Sequence, residues 1–155
     1  MSGNGSTLLI ISGYNFDQED QALPSIQSQT TGGTCQEFKY PSISRLAAAV
    51  TLANGSVFVT GGRGSEHHVW SQANSMASWS RNKDLLHGRK GHASIAVMVD
   101  GKEVVLVAGG WDNNGHELAT MNLYYPGNDQ WSREQSMPNP RVDFDLHVSK
   151  QSYYL

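Results

Sequence analysis

The chain of 155 residues carries 11 Lys and Arg against 14 Asp and Glu, a formal net charge of −3. A weakly acidic chain lacks the basic surface that binds nucleic acids or anionic lipids, so we expect neither nucleic acid nor membrane as a partner. The single cysteine, Cys35, excludes an intramolecular disulfide framework. No apolar run has the length of a signal-peptide core or a membrane span, so we expect a cytoplasmic protein, with a secreted one as the alternative.

One short pattern recurs along the chain at a period of about 49 residues. The copies read "LLIISGYN" at Leu8–Asn15, "VFVTGGRG" at Val57–Gly64 and "VLVAGGWD" at Val105–Asp112. Sequence repeats of this length are typical of β-propellers, in which each repeat folds as one four-stranded antiparallel blade. The period therefore predicts an all-β chain of about three blades.

The elements are best read in chain order as short strands separated by turn residues. In the first unit the pattern begins at a second strand and predicts strands at about 8–14, 25–31 and 35–40. The second unit predicts four, at about 46–53, 56–62, 69–74 and 77–86. The third predicts four more, at about 92–99, 102–110, 118–125 and 130–137. The Asn-Gly and Asp-Gly pairs between the first two strands of these units are typical of hairpin turns.

The segment after the third unit predicts one more first strand. We therefore divide the single unit 1–155 into a first blade of about 6–44, completed by a C-terminal strand of about 142–155, a second of about 45–88 and a third of about 89–141. Three blades cannot close a propeller ring. We expect two copies to exchange this strand and form a six-bladed homodimer, because exposed strand edges favour pairing. A fragment of a longer repeat protein is the alternative.

Two residue types in each unit have a structural explanation. A glycine pair ends the apolar second strand, where the backbone needs a positive φ or a close approach. The tryptophans of the fourth strands, Trp79 and Trp131, are expected to pack against the adjacent blade, with the indole N–H free to bind a carbonyl oxygen. We expect these residues to form scaffold rather than a binding site.

The repeats resemble the kelch repeat, which has an apolar strand ending in Gly-Gly, then a Tyr, a Trp and a Met-Pro turn followed by Arg. The third unit supplies the full pattern in Gly109, Gly110, Tyr125, Trp131, Met137, Pro138 and Arg141. The second unit supplies Gly61, Gly62, Trp70 in place of the Tyr, Trp79 and Arg89. The first unit keeps only Gly13, Arg45 and Phe38, the last in the expected role of the tryptophan. This resemblance implies a kelch-type β-propeller.

Three arginines, Arg45, Arg89 and Arg141, recur once per unit in the turns between blades. In kelch domains the matching arginine lies near the mouth of the central channel. Each guanidinium group could bind a carboxylate through two hydrogen bonds, so we expect an acidic peptide or an acidic sugar as a partner. The alternative is that these arginines bind backbone carbonyl oxygens between blades.

The loops that follow the glycine pairs supply the other candidate binding residues, together with one histidine from a between-blade turn. They are Tyr14, Arg63, His67, His92, Trp111, Asp112 and Asn113. Adjacent His67 and His68 on an extended chain point to opposite sides, and no Cys–His spacing supports a metal site. We expect no metal and no cofactor.

These observations favour a non-catalytic kelch propeller that presents its loops to a protein or peptide partner. The alternative is a propeller that binds or converts sugars, similar to a kelch epimerase of sialic acid, because Trp111 and Tyr14 are residue types that stack on sugar rings. No nucleophile motif of the Gly-x-Ser-x-Gly type occurs, so we do not expect an enzyme.

Overall fold

The computed structural model describes residues 7–11, 25–30, 36–39, 45–74 and 77–149. Within these ranges the chain forms β-strands and no helix. The strands are β1 (Thr7–Ile11), β2 (Ser25–Thr30), β3 (Gln36–Lys39), β4 (Ala48–Thr51), β5 (Val57–Thr60), β6 (Val69–Gln72), β7 (Ser80–Arg81), β8 (Ala93–Val99), β9 (Lys102–Ala108), β10 (Met121–Tyr125) and β11 (Gln130–Arg133). The predicted site residue Tyr14 lies outside the described residues.

Consecutive strands pair antiparallel to form three sheets. The first sheet has the order β1-β2-β3, the second β4-β5-β6-β7 and the third β8-β9-β10-β11. The predicted all-β class is therefore confirmed, and so is the four-stranded antiparallel plan of the second and third units. The second and third sheets fall inside the ranges 45–88 and 89–141 that the sequence assigns to single blades.

Strands β5 and β9 are buried along most of their length. Val57, Phe58 and Val59 are between 2% and 6% exposed, and Val105 and Val107 are fully buried. Both faces of these strands are covered, which explains why they read as continuous apolar runs rather than as an alternating pattern.

The second and third sheets pack face to face through one apolar cluster. Phe58 and Leu85 of the second unit contact Val105, Val107 and Tyr124 of the third. The rings of Phe58 and Tyr124 are tilted, with centroids 5.6 Å apart. Aromatic pairs in this arrangement add to the stabilisation from burial alone.

Polar contacts of the fourth strand reinforce this packing. The Trp131 indole N–H donates to the Lys83 carbonyl oxygen of the second unit at 3.0 Å, which confirms the expected role of this tryptophan. The Asp129 carboxylate accepts hydrogen bonds from the Tyr124 hydroxyl at 2.7 Å and from the Lys83 backbone N–H at 2.8 Å. Burial and this carboxylate raise the pKa of Tyr124, so the phenol stays protonated and donates to Asp129, which in turn accepts from Lys83 of the second unit.

The register of the first sheet corrects the role expected for Phe38. Phe38 lies opposite Ile26, which itself lies opposite the last residue of β1, Ile11. Trp131 lies opposite Tyr124, three positions further along its strand pair. Phe38 therefore does not occupy the place of the tryptophan. The hydrogen-bond register of the strands decides which positions correspond, and the similarity of two aromatic residues does not.

A chain of backbone hydrogen bonds links the first residues of successive units. The Gly91 N–H donates to the Leu46 carbonyl oxygen, and the Asp143 N–H donates to the Gly91 carbonyl oxygen, both at 2.9 Å. All three residues have positive φ angles, 67°, 61° and 49°. Residues 143–149 therefore start in the place where the inner strand of a further sheet would start. They belong to no strand among the described residues, so the strand exchange remains a prediction.

Each glycine pair lets the backbone of the turn after the fourth strand form a hydrogen bond with the end of the second strand. The Gly62 N–H donates to the Arg89 carbonyl oxygen at 3.0 Å, and the Gly110 N–H donates to the Arg141 carbonyl oxygen at 2.8 Å. Gly109 has a φ of 65°, and a Cβ atom there would overlap the Arg141 carbonyl oxygen. Only glycine satisfies both constraints without strain.

We expect Gly109→Ala to lower the free energy of unfolding by at least about 2 kcal/mol, because the added methyl group meets backbone and the φ is left-handed. The matched control is Gly127→Ala, since a Cβ atom there has no neighbour within 4 Å. The control should change stability by less than about 0.5 kcal/mol. Urea denaturation of the two variants tests this expectation, and equal unfolding midpoints would contradict it.

Candidate functional site

Two sets of loops meet at one end of the sheets. The Arg89 N–H donates to the Glu66 carbonyl oxygen at 2.9 Å, and the Leu85 N–H donates to the His67 carbonyl oxygen at 2.9 Å. In the third unit, the Arg141 N–H binds the Leu118 carbonyl oxygen at 3.3 Å. The loops after the glycine pairs (61–68 and 109–120) and the turns after the fourth strands (82–92 and 134–142) therefore form one surface, which we call the loop face.

Arg89 is completely buried beneath the loop face. Its guanidinium donates to the Gly109 carbonyl oxygen at 3.0 Å, to the Thr120 carbonyl and hydroxyl oxygens at 3.2 Å each and to Asn122 Oδ1 at 2.9 Å. Its Nε donates to the His87 carbonyl oxygen at 3.3 Å. Burial lowers the pKa of Arg89 to about 10, so it remains charged at neutral pH. Arg89 joins the second and third units and is not available to an external ligand.

The three arginines are not equivalent. The Arg63 N–H donates to the Arg45 carbonyl oxygen at 2.9 Å, whereas the matching Trp111 N–H donates to the Lys90 carbonyl oxygen at 2.8 Å. Arg45 therefore corresponds to Lys90, one position after Arg89. The expected ring of three equivalent guanidinium groups is not present, because counting along the sequence placed Arg45 one residue out of step.

His92 is also a structural residue. It is 7% exposed, and its Nε2 lies 2.8 Å from the Thr60 hydroxyl. Its ring covers Gly61, where a Cβ atom would lie 2.7 Å from His92 Cε1. Burial, together with the nearby Arg89 charge, lowers the pKa of His92 to about 3. The imidazole is therefore neutral and has no direct access to a ligand on the loop face.

The remaining predicted residues lie on the loop face itself. Arg63, His67 and Asn113 are exposed, while Trp111 and Asp112 are half-buried. The Trp111 ring lies against Gly91, so only part of it faces solvent. These five side chains have cationic, aromatic and polar chemistry.

The loop that contains Asp112 is organised by this carboxylate. Asp112 Oδ1 accepts the backbone N–H groups of Asn114 and His116, both at 2.8 Å. Its Oδ2 lies 3.1 Å from His116 Nδ1. These hydrogen bonds lower the pKa of Asp112, with the His116 backbone N–H contributing most. Asp112 thus fixes the loop shape as well as contributing to its surface.

An open pocket of about 280 Å³ lies where the first residues of successive units meet. It is lined by Leu46, Ala47, Gly91, His92, Asp143, Phe144 and Asp145. Its rim carries the exposed carboxylates of Asp143 and Asp145, and its floor includes the neutral His92. A second hollow of about 430 Å³ lies at the opposite end of the sheets, beside Lys102 and the turn at 126–128.

The described part of the chain contains neither a group of metal-binding side chains nor a membrane-spanning helix. In residues 45–74 and 77–149, no three His, Cys, Asp or Glu side chains are grouped so that they could hold a metal ion. A search of the described residues also finds no helix long and apolar enough to cross a membrane.

Packed four-stranded sheets with glycine-ended second strands define a repeat protein of the propeller-blade class. The chain is 30% identical to Beta-scruin of Limulus polyphemus over 115 residues, 68% of this chain, and 37% identical to Alpha-scruin of the same organism over 64 residues, 41% of this chain. The matched regions make up 12% and 6% of those relatives, so the chain corresponds to a small part of each. No family model matches the chain. The similarity to both scruins places the chain among the kelch-repeat proteins, to which it belongs.

Sequence reasoning missed the residues that bind Arg89. Thr120 and Asn122 lie in the strand predicted at about 118–125, which gives no sign of a role for either side chain, yet Asn122 is 1% exposed. A buried amide inside an apolar strand needs a hydrogen-bond partner. This polar residue within the run "MNLYY" was the signal that could have indicated a buried contact.

We expect the free energy of unfolding to fall as the pH is lowered from about 6.5 to about 3, because the unfolded chain binds a proton at His92 and the folded chain does not. The full loss is on the order of 4 kcal/mol. In His92→Phe this loss should largely disappear. Phe144 occupies the matching place over Gly109, so phenylalanine fits such a position. A smaller pH dependence should remain from His68 and His87, whose pKa values burial also lowers.

The control for this measurement is His116→Phe, since the His116 side chain is 75% exposed. Urea midpoints measured from pH 7 to pH 4 should keep their full pH dependence in this variant. The same dependence in His92→Phe as in the original chain would contradict the assignment.

Proposed function

We propose that this chain is a non-catalytic binding module whose loop face binds a protein partner. The supporting observation is that loops of two successive repeats form one surface with exposed side chains of mixed chemistry, among them Arg63, His67 and Asn113. The charged and titratable groups beneath that surface, Arg89 and His92, are engaged within the fold. Fold alone does not give function, so the proposal rests on this surface.

A catalytic role has less support from the same residues. A general acid or base needs a pKa near the working pH and access to the substrate. His92 borders the pocket, but its pKa of about 3 and its burial remove both properties. Asp143 and Asp145 are exposed carboxylates on the rim. The sugar-converting alternative is therefore not favoured.

The charges of the loop face favour a protein surface of mixed polarity over a purely acidic peptide. Arg63 and Arg141 are exposed cations of this face, and Glu117 and Glu134 are exposed anions of it. Complementary charges of both signs give specificity and steer association. We keep the cytosol as the proposed compartment, on the sequence argument alone.

We expect Arg63→Glu to abolish capture of the partner, because it reverses an exposed charge of the loop face. The matched control is Lys102→Glu, which reverses an exposed charge at the opposite end of the sheets. The immobilised chain and both variants would be incubated with a lysate of the cells that express the protein, and retained proteins identified by mass spectrometry. A protein retained by the original chain and by Lys102→Glu, and lost with Arg63→Glu, supports the proposal. Retention that is equal in all three would contradict it.

We also propose that two copies of this chain join to form a six-bladed ring. Residues 143–149 start where the inner strand of a further sheet would start, and β1 is the edge strand of the first sheet as described. In the second and third sheets, the strand that matches β1 is covered by an inner strand. Joining the two edges would complete one blade at each of two identical junctions.

We expect light scattering behind size exclusion to give about twice the monomer mass of 16.9 kDa across a dilution series. The pairing of two exposed strand edges at each of two junctions favours the pair over the single chain. A mass that stays at 16.9 kDa at every concentration would contradict the ring.

A further inference from the structure

Arg141 and Arg89 occupy the same place in successive repeats. The Arg89 carbonyl oxygen accepts the Gly62 N–H, and the Arg141 carbonyl oxygen accepts the Gly110 N–H. The backbone N–H groups of both arginines donate to the loop that follows the preceding glycine pair. The backbone therefore presents the Arg141 side chain toward a further sheet, as it presents the Arg89 side chain toward the third sheet.

The acceptors around Arg89 form a defined set. It consists of a carbonyl oxygen just after β9, the hydroxyl and carbonyl oxygens of Thr120 and the amide oxygen of Asn122. Thr120 precedes β10, and Asn122 is the second residue of β10. A guanidinium with this many acceptors is fixed in position and compensated for its burial.

Arg141 has no such set in the part of the chain that the structure describes. Its side chain is exposed, and none of the described residues accepts a hydrogen bond from its guanidinium. The adjoining chain is nevertheless arranged as it is near Arg89. Phe144 covers Gly109 as His92 covers Gly61. The third unit therefore supplies its side of a junction, and no described residue supplies acceptors on the other side.

The first sheet carries the matching acceptor types at the matching register positions. Ile11 is the last residue of β1 and lies opposite Ile26, just as Ala108 is the last residue of β9 and lies opposite Met121. This register aligns Ser25 with Thr120 and Gln27 with Asn122. A hydroxyl residue and an amide residue therefore stand at the two positions that bind a junction arginine.

The second sheet provides an internal comparison. Its positions matching Thr120 and Asn122 are His68 and Trp70, which do not repeat the hydroxyl and amide pair. The residue that matches Arg89 before this sheet is Ser44 rather than arginine. The arginine and its acceptor types thus occur together or are absent together within one sequence.

The apolar positions of the first sheet agree with this pairing. By the same register, Leu8 and Ile10 of β1 match Val105 and Val107 of β9, which pack against the second sheet. The first sheet therefore has the residue types of a sheet that receives an apolar face as well as an arginine. The repeat whose junction arginine has no acceptor among the described residues is the third, with Arg141.

We infer that Arg141 of one copy binds the first sheet of a second copy, at Ser25 and Gln27, in the way that Arg89 binds Thr120 and Asn122. This inference rests on the proposed two-copy ring and names the residues that specify its junction. In the proposed ring, residues 143–149 of one copy continue toward the first sheet of the other copy. Three sheets cannot close upon themselves to bring the two together.

The test compares Arg141→Met and Gln27→Leu with the original chain by sedimentation equilibrium. One lost set of charge-assisted hydrogen bonds should weaken association about tenfold, and each pair of copies contains two junctions. Each single variant should therefore raise the dissociation constant about 100-fold. The double variant should be little weaker than either single one, because removing one partner already breaks the contact.

Mixing the two single variants shows whether the contact joins different copies. A mixed pair has one intact junction and one that lacks both partners. It should associate about tenfold more tightly than either variant alone. No preference for the mixed pair would contradict a contact between copies. A junction with both native partners forms only in the mixed pair. Tighter association of the mixed pair therefore cannot result from a folding defect in either variant.

The controls separate this inference from the proposed ring. Arg133→Met removes another exposed arginine, on the outer strand β11, and should leave association unchanged. If the original chain is monomeric at all concentrations, both the ring and the inference are overturned. If it forms pairs that Arg141→Met does not weaken, the ring stands and the inference alone is overturned. Urea midpoints of each variant, measured at low concentration, confirm that the individual copies are folded.

Discussion

The contact on which this structure depends is the hydrogen bond between the second glycine of each pair and an arginine carbonyl oxygen. The Gly62 N–H reaches Arg89, and the Gly110 N–H reaches Arg141. The first glycine of each pair makes this approach possible, since a Cβ atom at Gly61 or Gly109 would overlap the same arginine carbonyl oxygen. It also brings the inner strand of the following unit against the sheet of the preceding unit. The apolar packing between the second and third sheets follows from that placement.

The same contact decides the environment of the junction arginine. Because the turn is held against the glycine pair, the Arg89 side chain enters the next sheet and loses all contact with water. Its acceptors are neutral oxygens, so hydrogen bonds rather than an ion pair compensate for the lost hydration. The geometry is specific, since a guanidinium needs several acceptors in one plane. A junction of this kind can distinguish one sheet from another.

The loop face differs between repeats, whereas the structural residues beneath it do not. The buried arginine and histidine support the loop face from beneath, and its exposed side chains come from loops of different length. His67 belongs to the shorter loop, whereas Asp112 and His116 stabilise the longer one. The scaffold is thus repeated while the loop face is not.

The sequence by itself determined the repeat period, the strands, the glycine pairs and the kelch family, because each depends on local pattern. It could not determine which arginines are equivalent. Arg89 and Arg141 correspond although 52 residues separate them, whereas Arg45, 44 residues before Arg89, corresponds to Lys90, so spacing along the chain does not give the alignment. Only the hydrogen-bond register restores it. Burial is likewise decided by the tertiary structure. The sequence does not distinguish Arg89, which is buried, from Arg141, which is exposed, because the difference depends on the sheet that receives the side chain.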